Sequence, residues 1–271
     1  MSDTSQPAAM SAWITGIGLI APGLPDWTST AAVLRGEQAH DSAATVLPAP
    51  ELLPGAERRR ASRVIKLALG VGLEAVRHAK ADASTLATVF SASGADGHNC
   101  HALCEQLATD DRQISPTRFH NSVHNAAAGY WSIATRSMAA CQVIGAFDAS
   151  LGAGLLDALA QVVLDRQPVL LVAYDSEYPE PLRAKRDTPD CAGVALLLSP
   201  HADGALGRIS LTPTQASADT LDNPSLEALR VAIPAMRALP LLRRMATGEA
   251  GDVVLDYLPP MQLRVSWRLC E

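Results

Sequence analysis

Aromatic side chains are scarce, at 4% of 271 residues, so a core has to be built mainly from Ala, Val, Leu and Ile. Positive charge is short as well: 22 Lys and Arg stand against 28 Asp and Glu, a formal net charge of −6. No basic face is available to neutralise phosphates, which argues against a nucleic-acid binder. The one basic cluster, Arg58 to Arg60 with Arg63 and Lys66, reads as the solvated start of a helix. The five cysteines (Cys100, Cys104, Cys141, Cys191, Cys270) are odd in number and scattered without CxxC spacing. That excludes a disulfide framework and fits reduced thiols in the cytoplasm. No stretch approaches the roughly 18 apolar residues of a membrane span. The opening "MSDTSQPAAMSAW" has no charged n-region followed by an apolar h-region, so no signal peptide is visible. Repeats, linkers and low-complexity tracts are missing too, and one domain over 1–271 is expected.

What is present is an alternation of strands and helices. "AWITGIGLIAPG" (12–23) reads as a buried strand, and residues 28–60 as loop with at most one short helix. Apolar positions Val64, Leu67, Ala68, Val71, Ala75 and Val76 recur at helical spacing and predict a helix over 61–78. Further strands are predicted at 86–93, 139–147, 167–175 and 190–200, with helices near 99–109, after the extended start of 114–135, and over 150–165. The class is α/β with a mixed sheet. After Pro200 the pattern weakens to one strand, a proline-interrupted helix and a terminal pair of strands.

The stretch "AFDASLGAGLLDAL" (146–159) has the form of a nucleophile elbow: apolar run, small-residue turn, helix. Such a turn exposes one side chain and leaves N–H groups at the helix N-terminus to hold an oxyanion. A thiol there would be acidified to a usable thiolate. The small residues Ala146, Ala149, Ser150, Gly152 and Gly154 suit the crowding, yet the turn carries Asp148.

Around this elbow the chain resembles the N-terminal half of the β-ketoacyl synthases of the thiolase superfamily. "SVHNAAAGYWSIA" (122–134) is similar to the family's "NxxAGxxSI" segment, and "ITGIGLIAPG" to its opening "VTGxGxxSPxG". "ISPTRF", the following strand, the elbow and "VLLVAYD" come in the same order, so the likeness covers about residues 11–200. It implies a thiolase-like half fold, a mixed five-stranded sheet with helices on both faces, followed by a short C-terminal extension. Counting from Gly129 by the family's spacing puts the reactive cysteine's slot at Asp148, while Cys141 falls one strand length too early, at a position packed within the sheet. An aspartate there is favoured by the helix dipole, stays ionised, and repels a developing oxyanion. Too little chain follows Pro200 for the family's C-terminal half with its two histidines.

Members of that family lacking the nucleophile act as chain length factors, silent partners of a ketosynthase in type II polyketide and aryl polyene systems. The resemblance therefore implies a pseudoenzyme without cofactor, joined to a ketosynthase through the strand before the elbow. Leu103, Arg118 and Phe119 are the candidates for the floor of the partner's acyl tunnel, and His120, Cys141 and Phe147 complete the set at the tunnel or interface. Arg183, Lys185 and Arg186 are candidates for contact with an acidic acyl carrier protein.

Two other readings start from the residues alone. His98, Cys100, His101, Cys104, His120 and His124 concentrate potential zinc ligands, with i, i+4 spacing in His120/His124 and in Cys100/Cys104. Ser150 offers a nucleophile for an acyltransferase or hydrolase, with His120 or His124 as base.

Overall fold

The structure is a computed structural model, and it describes residues 10–270. The first nine residues, on which most of the signal-peptide expectation falls, lie outside the described residues. Strand β1 (Met10–Ile20) is followed by two short helices, α1 (Trp27–Leu34) and α2 (Gly55–Arg60), where the sequence suggested at most one. Asp26 makes the difference at α1, because its carboxylate accepts the Ser29 N–H and caps a helix too short to show apolar periodicity. Helix α3 (Arg63–Ala79) fills its predicted place.

Then come β2 (Ala87–Ser91), α4 (Gly97–Leu107), α5 (Pro116–His120), α6 (Ala126–Thr135) and β3 (Cys141–Ile144). After the elbow, α7 (Ser150–Asp165), β4 (Val169–Asp175) and β5 (Ala192–Ser199) complete the family-like part. The C-terminal segment contributes β6 (Gly207–Thr214), α8 (Pro224–Ala232), a 3-10 helix over Pro234–Ala238, α9 (Leu239–Thr247), β7 (Gly251–Leu258) and β8 (Met261–Leu269).

One sheet runs through the described residues in the order β3-β2-β4-β5-β1-β6-β8-β7. It has eight strands, not five, because β6, β8 and β7 extend it by antiparallel pairing beyond β1. β2 runs parallel to β3 and β4, and β5 is antiparallel to β4 and β1. The sheet is therefore mixed, as expected.

Both of its faces are covered. β4 is buried throughout, with Val169, Leu171 and Ala173 entering one core and Leu170, Val172 and Tyr174 the other. A strand buried on both faces reads as an unbroken apolar run, which is why "VLLVAYD" does not alternate. The first core holds Leu155 and Leu159 of α7 with Leu239 and Leu242 of α9, and the second holds Leu67 and Val71 of α3 with Trp131 of α6. Four aromatics, Phe90, Tyr130, Trp131 and Tyr174, lie in that second core, where Phe90 meets Trp131 edge-on at 6.1 Å and Tyr174 at 6.4 Å.

Gly16 and Gly18 explain "ITGIGLI". A Cβ on either would stand 2.2 or 2.1 Å from a backbone oxygen of α3, so only glycine lets the helix lie this close to β1.

By length and composition one helix does reach the membrane-spanning range, contrary to the sequence expectation: Phe147–Asp165, with mean hydropathy 1.4. Half of it is buried in the core, and packing against the sheet accounts for its apolarity.

Candidate functional site

The elbow sits where β3 ends at one edge of the sheet. Phe147–Ala149 form a single 3-10 turn that leads straight into α7. Phe147 takes φ 51°, a left-handed conformation that a bulky residue adopts only under constraint from its surroundings. The turn is tied from inside by Ser150. Its hydroxyl accepts the Ala146 N–H at 2.9 Å and has the carbonyls of Phe147 and Ala92 at 2.7 and 3.1 Å. With 1% of Ser150 exposed, that hydroxyl is a structural pin; burial removes it from any substrate and answers the nucleophile reading against it. The small residues of α7 serve packing: a Cβ on Gly154 would come within 2.7 Å of the Ser91 Cβ on β2.

Asp148 is held by two guanidiniums. Arg186 donates to its carboxylate at 2.7 Å and Arg237 stands 3.6 Å away, while Arg237 also donates to the Asp148 carbonyl at 2.6 Å. The Arg186 guanidinium lies 4.1 Å from the centre of the Phe147 ring. Arg186 is thereby turned inward, which corrects its expected place on a carrier-protein surface; Arg183 and Lys185 remain exposed. Arg237 comes from the 3-10 helix of the C-terminal segment. The only sign of it in the sequence is one arginine among the apolar residues and prolines of "IPAMRALP".

Behind this pair lies Asp175, which sequence reading also missed. Its two oxygens accept the N–H groups of Ser93 and Ala235, both at 2.8 Å, joining β4 to the loop after β2 and to the C-terminal segment. Burial pushes its carboxyl from 3.8 up to about 6, against the hydrogen bonds from Ser93 and Ala235 and the charge of Arg186. A raised folded-state value means that between about pH 4 and 6 the folded chain holds a proton the unfolded chain has lost. Stability from this group is therefore present at low pH and lost as pH rises through that window. Asp175→Asn is expected to lose roughly 1–3 kcal/mol, since its amide cannot accept both N–H groups. Thermal melts across pH 4–7 check this: the wild-type-minus-variant difference should shrink as pH rises.

Cys141 opens β3 and is exposed, not packed within the sheet, because β3 is an edge strand paired only with β2. It does not reach the turn, and partial desolvation holds its thiol above the ordinary value. Leu103 is buried on α4, whereas Arg118, Phe119 and His120 are exposed on or beside α5. The His120 ring meets Tyr130 edge-on at 6.4 Å.

The six His and Cys residues of the zinc reading do not assemble. His98 faces Glu177 at 3.8 Å and His101 faces Glu105 at 3.2 Å. Among the described residues, the group close enough to share an ion is Glu177, Asp190 and Cys191. Arg63 already supplies its positive charge, at 3.0 Å from Glu177, 2.7 Å from Asp190 and 3.2 Å from the Cys191 sulphur. Burial pushes that thiol up to about 12, so it stays protonated and is a poor ligand.

The model of the β-ketoacyl synthase N-terminal domain matches residues 27–249. The chain belongs to this family. No curated protein matches it. Among solved structures it is similar to a chain of the ketosynthase (ApeO) in complex with its chain length factor (ApeC) from Xenorhabdus doucetiae, at 24% identity and TM-score 0.72, covering 94% of this chain and 99% of that one. A chain of the ishigamide ketosynthase/chain length factor matches at 15% identity and TM-score 0.71, covering 96% and 100%. One from the type II AntDE:AntF assembly of ketosynthase and acyl-carrier protein matches at 11% and 0.73, covering 97% and 100%. These likenesses establish the thiolase-like half fold. Within the β-ketoacyl synthase family the site is thus an elbow of the expected shape, filled by an ion pair and closed over by the C-terminal segment.

Proposed function

We propose that this chain is a non-catalytic chain length factor, which pairs with an active ketosynthase and shapes that partner's acyl tunnel in type II polyketide, aryl polyene or fatty acid biosynthesis. The observation that carries the reading is the occupant of the elbow. A condensing enzyme needs a free thiolate there, with donors open to an oxyanion; Asp148 is instead a carboxylate clamped by Arg186 and Arg237.

The outer edge of β3 supplies the docking strand. The carbonyls of Ala140 and Ile144 accept the N–H groups of Thr88 on β2 and of Ala92 just after it. In a parallel ladder the backbone groups of Cys141 and Val143 then face outward, open to another strand. Met138, 97% exposed, and Phe147, 63% exposed, flank the strand in the chain and offer apolar surface to a partner. Arg118 and Phe119 are exposed and available to line the tunnel, and Leu103 is buried on α4. Arg183 and Lys185 are the groups left to meet an acyl carrier protein. The five free thiols accord with a cytoplasmic setting, and one domain over 1–271 is part of the same proposal.

Co-expression with a ketosynthase encoded beside it tests the reading. A stable 1:1 complex that condenses acyl thioesters is expected, with no acyl group on this chain. A monomer indifferent to any ketosynthase, or an acylated residue on the isolated chain, would overturn it.

A further inference from the structure

The C-terminal segment gives the sheet a solvent-facing surface beyond β1. Along β8, Leu263, Val265 and Trp267 enter the core while Arg264, Ser266 and Arg268 point the other way, and β6 repeats the alternation. Antiparallel register sorts these outward side chains into rows that cross the strands. Trp13, Arg208 and Arg268 make one row, and Ser11, Ser210, Ser266 and Asp252 the next. Arg264 stands in the third, opposite Thr212. The middle row is mostly short hydroxyl side chains, so it forms a trough with arginines along both sides. Its flanking rows are roughly 13 Å apart, since two residues of a strand advance about 6.7 Å.

Charge in the trough is unbalanced. Three guanidiniums face the one carboxylate of Asp252, on a chain whose net charge is −6. Asp252 lies at the β7 end, 3.9 Å from Arg264 and 3.4 Å from Arg268, and so bridges the two sides. Arg208 has no such partner among the described residues. Its guanidinium donates to the Ser11 hydroxyl at 2.6 Å and stands 5.8 Å from the centre of the Trp13 ring. It also belongs to the residue directly opposite Arg268, and like charges facing each other across a ladder repel. A second carboxylate beside Arg208 would relieve that repulsion, as Asp252 does at the other end.

The chemistry of the face favours a protein as the source of that carboxylate. Guanidinium forks match carboxylates two bonds at a time. Three arginines are few for a nucleic acid, whose binding rests on many neutralised phosphates. Half-buried Trp13 is too little apolar surface to enter a membrane.

We infer that this trough docks an extended acidic segment of a partner protein. Successive side chains of an extended chain point to opposite sides, so adjacent acidic residues meet Arg208 on one wall and Arg264 on the other. The β3 edge assigned above to a ketosynthase lies at the far end of the sheet, so this surface is separate from that pairing and does not depend on it.

Fluorescence anisotropy of the full chain with a labelled octapeptide rich in paired glutamates, and with its glutamine counterpart, tests it. Saturable 1:1 binding of the acidic peptide is expected at roughly 10–100 μM, with the glutamine peptide at least tenfold weaker. Raising salt from about 50 to 200 mM should weaken binding several-fold. Arg208→Gln and Arg264→Gln should each weaken it about threefold to fivefold, the scale of an exposed charge pair. Asp252→Asn frees the two guanidiniums that Asp252 occupies and should tighten binding about threefold, a change opposite in sign to that of a merely structural loss. Arg112→Gln, in the exposed loop after α4, should leave it unchanged. Absence of saturable binding, equal binding of the glutamine peptide, equal weakening by Arg112→Gln, or weaker binding by Asp252→Asn would overturn the proposal. So would tighter binding, through the same arginines, of heparin or of phosphatidylserine vesicles than of the peptide, since the face would then serve a polyanion or a membrane.

Discussion

Val143→Pro is expected to separate this chain from the ketosynthase proposed as its partner while leaving its own fold in place. The Val143 N–H points away from β2, so proline there removes no bond of the existing ladder. It does remove a donor from the free edge and puts a ring where an incoming strand would lie. Loss of a ladder bond together with that clash should weaken the complex roughly 100-fold or more. Size-exclusion chromatography of the co-expressed pair reads the outcome, and the near-ultraviolet circular dichroism of the isolated variant checks that the aromatic cluster of Phe90, Trp131 and Tyr174 is intact. A complex that survives the substitution unchanged would place the docking surface elsewhere.

Asp148→Ala should act on stability and not on chemistry. It strands Arg186 and Arg237, which are less than one-fifth exposed, and loosens a turn already strained at Phe147. Removing one partner of a largely buried ion pair leaves uncompensated charge, here about 1–3 kcal/mol given the partial exposure of the carboxylate. For a chain of this size that is a fall in melting temperature of roughly 3–10 °C. The turnover of the assembled ketosynthase complex should stay within about twofold of the unmodified one. A loss of an order of magnitude in turnover, with the complex intact, would make Asp148 part of the reaction and end the pseudoenzyme reading.

Much of the candidate site was legible because the turn is local. Small residues around Asp148 and the apolar run before it describe an elbow whatever surrounds them, and the structure puts the turn at Phe147–Ala149. What fills the elbow was not legible. Asp148 meets Arg186 across 38 positions and Arg237 across 89, and neither arginine sits in a pattern that marks it as inward-facing. Arg186 reads as one more charge in a polar loop until the fold turns it onto Phe147.

By itself, the sequence determined the order of the strands and of the long helices up to Pro200, since apolar periodicity acts within a few residues: α3 and α7 lie within two residues of their predicted bounds, whereas the short α1, α2 and α5 are too brief to show a period. It determined, too, that no cysteine occupies the elbow. Tertiary structure alone decided that β6, β7 and β8 join the same sheet and that β3 is left at its edge with Cys141 exposed. It also decided that a C-terminal arginine closes over the turn. The reason is that strand pairing and ion pairing reward proximity in space, and a side chain's neighbours across the fold leave no mark on the residues beside it in the chain.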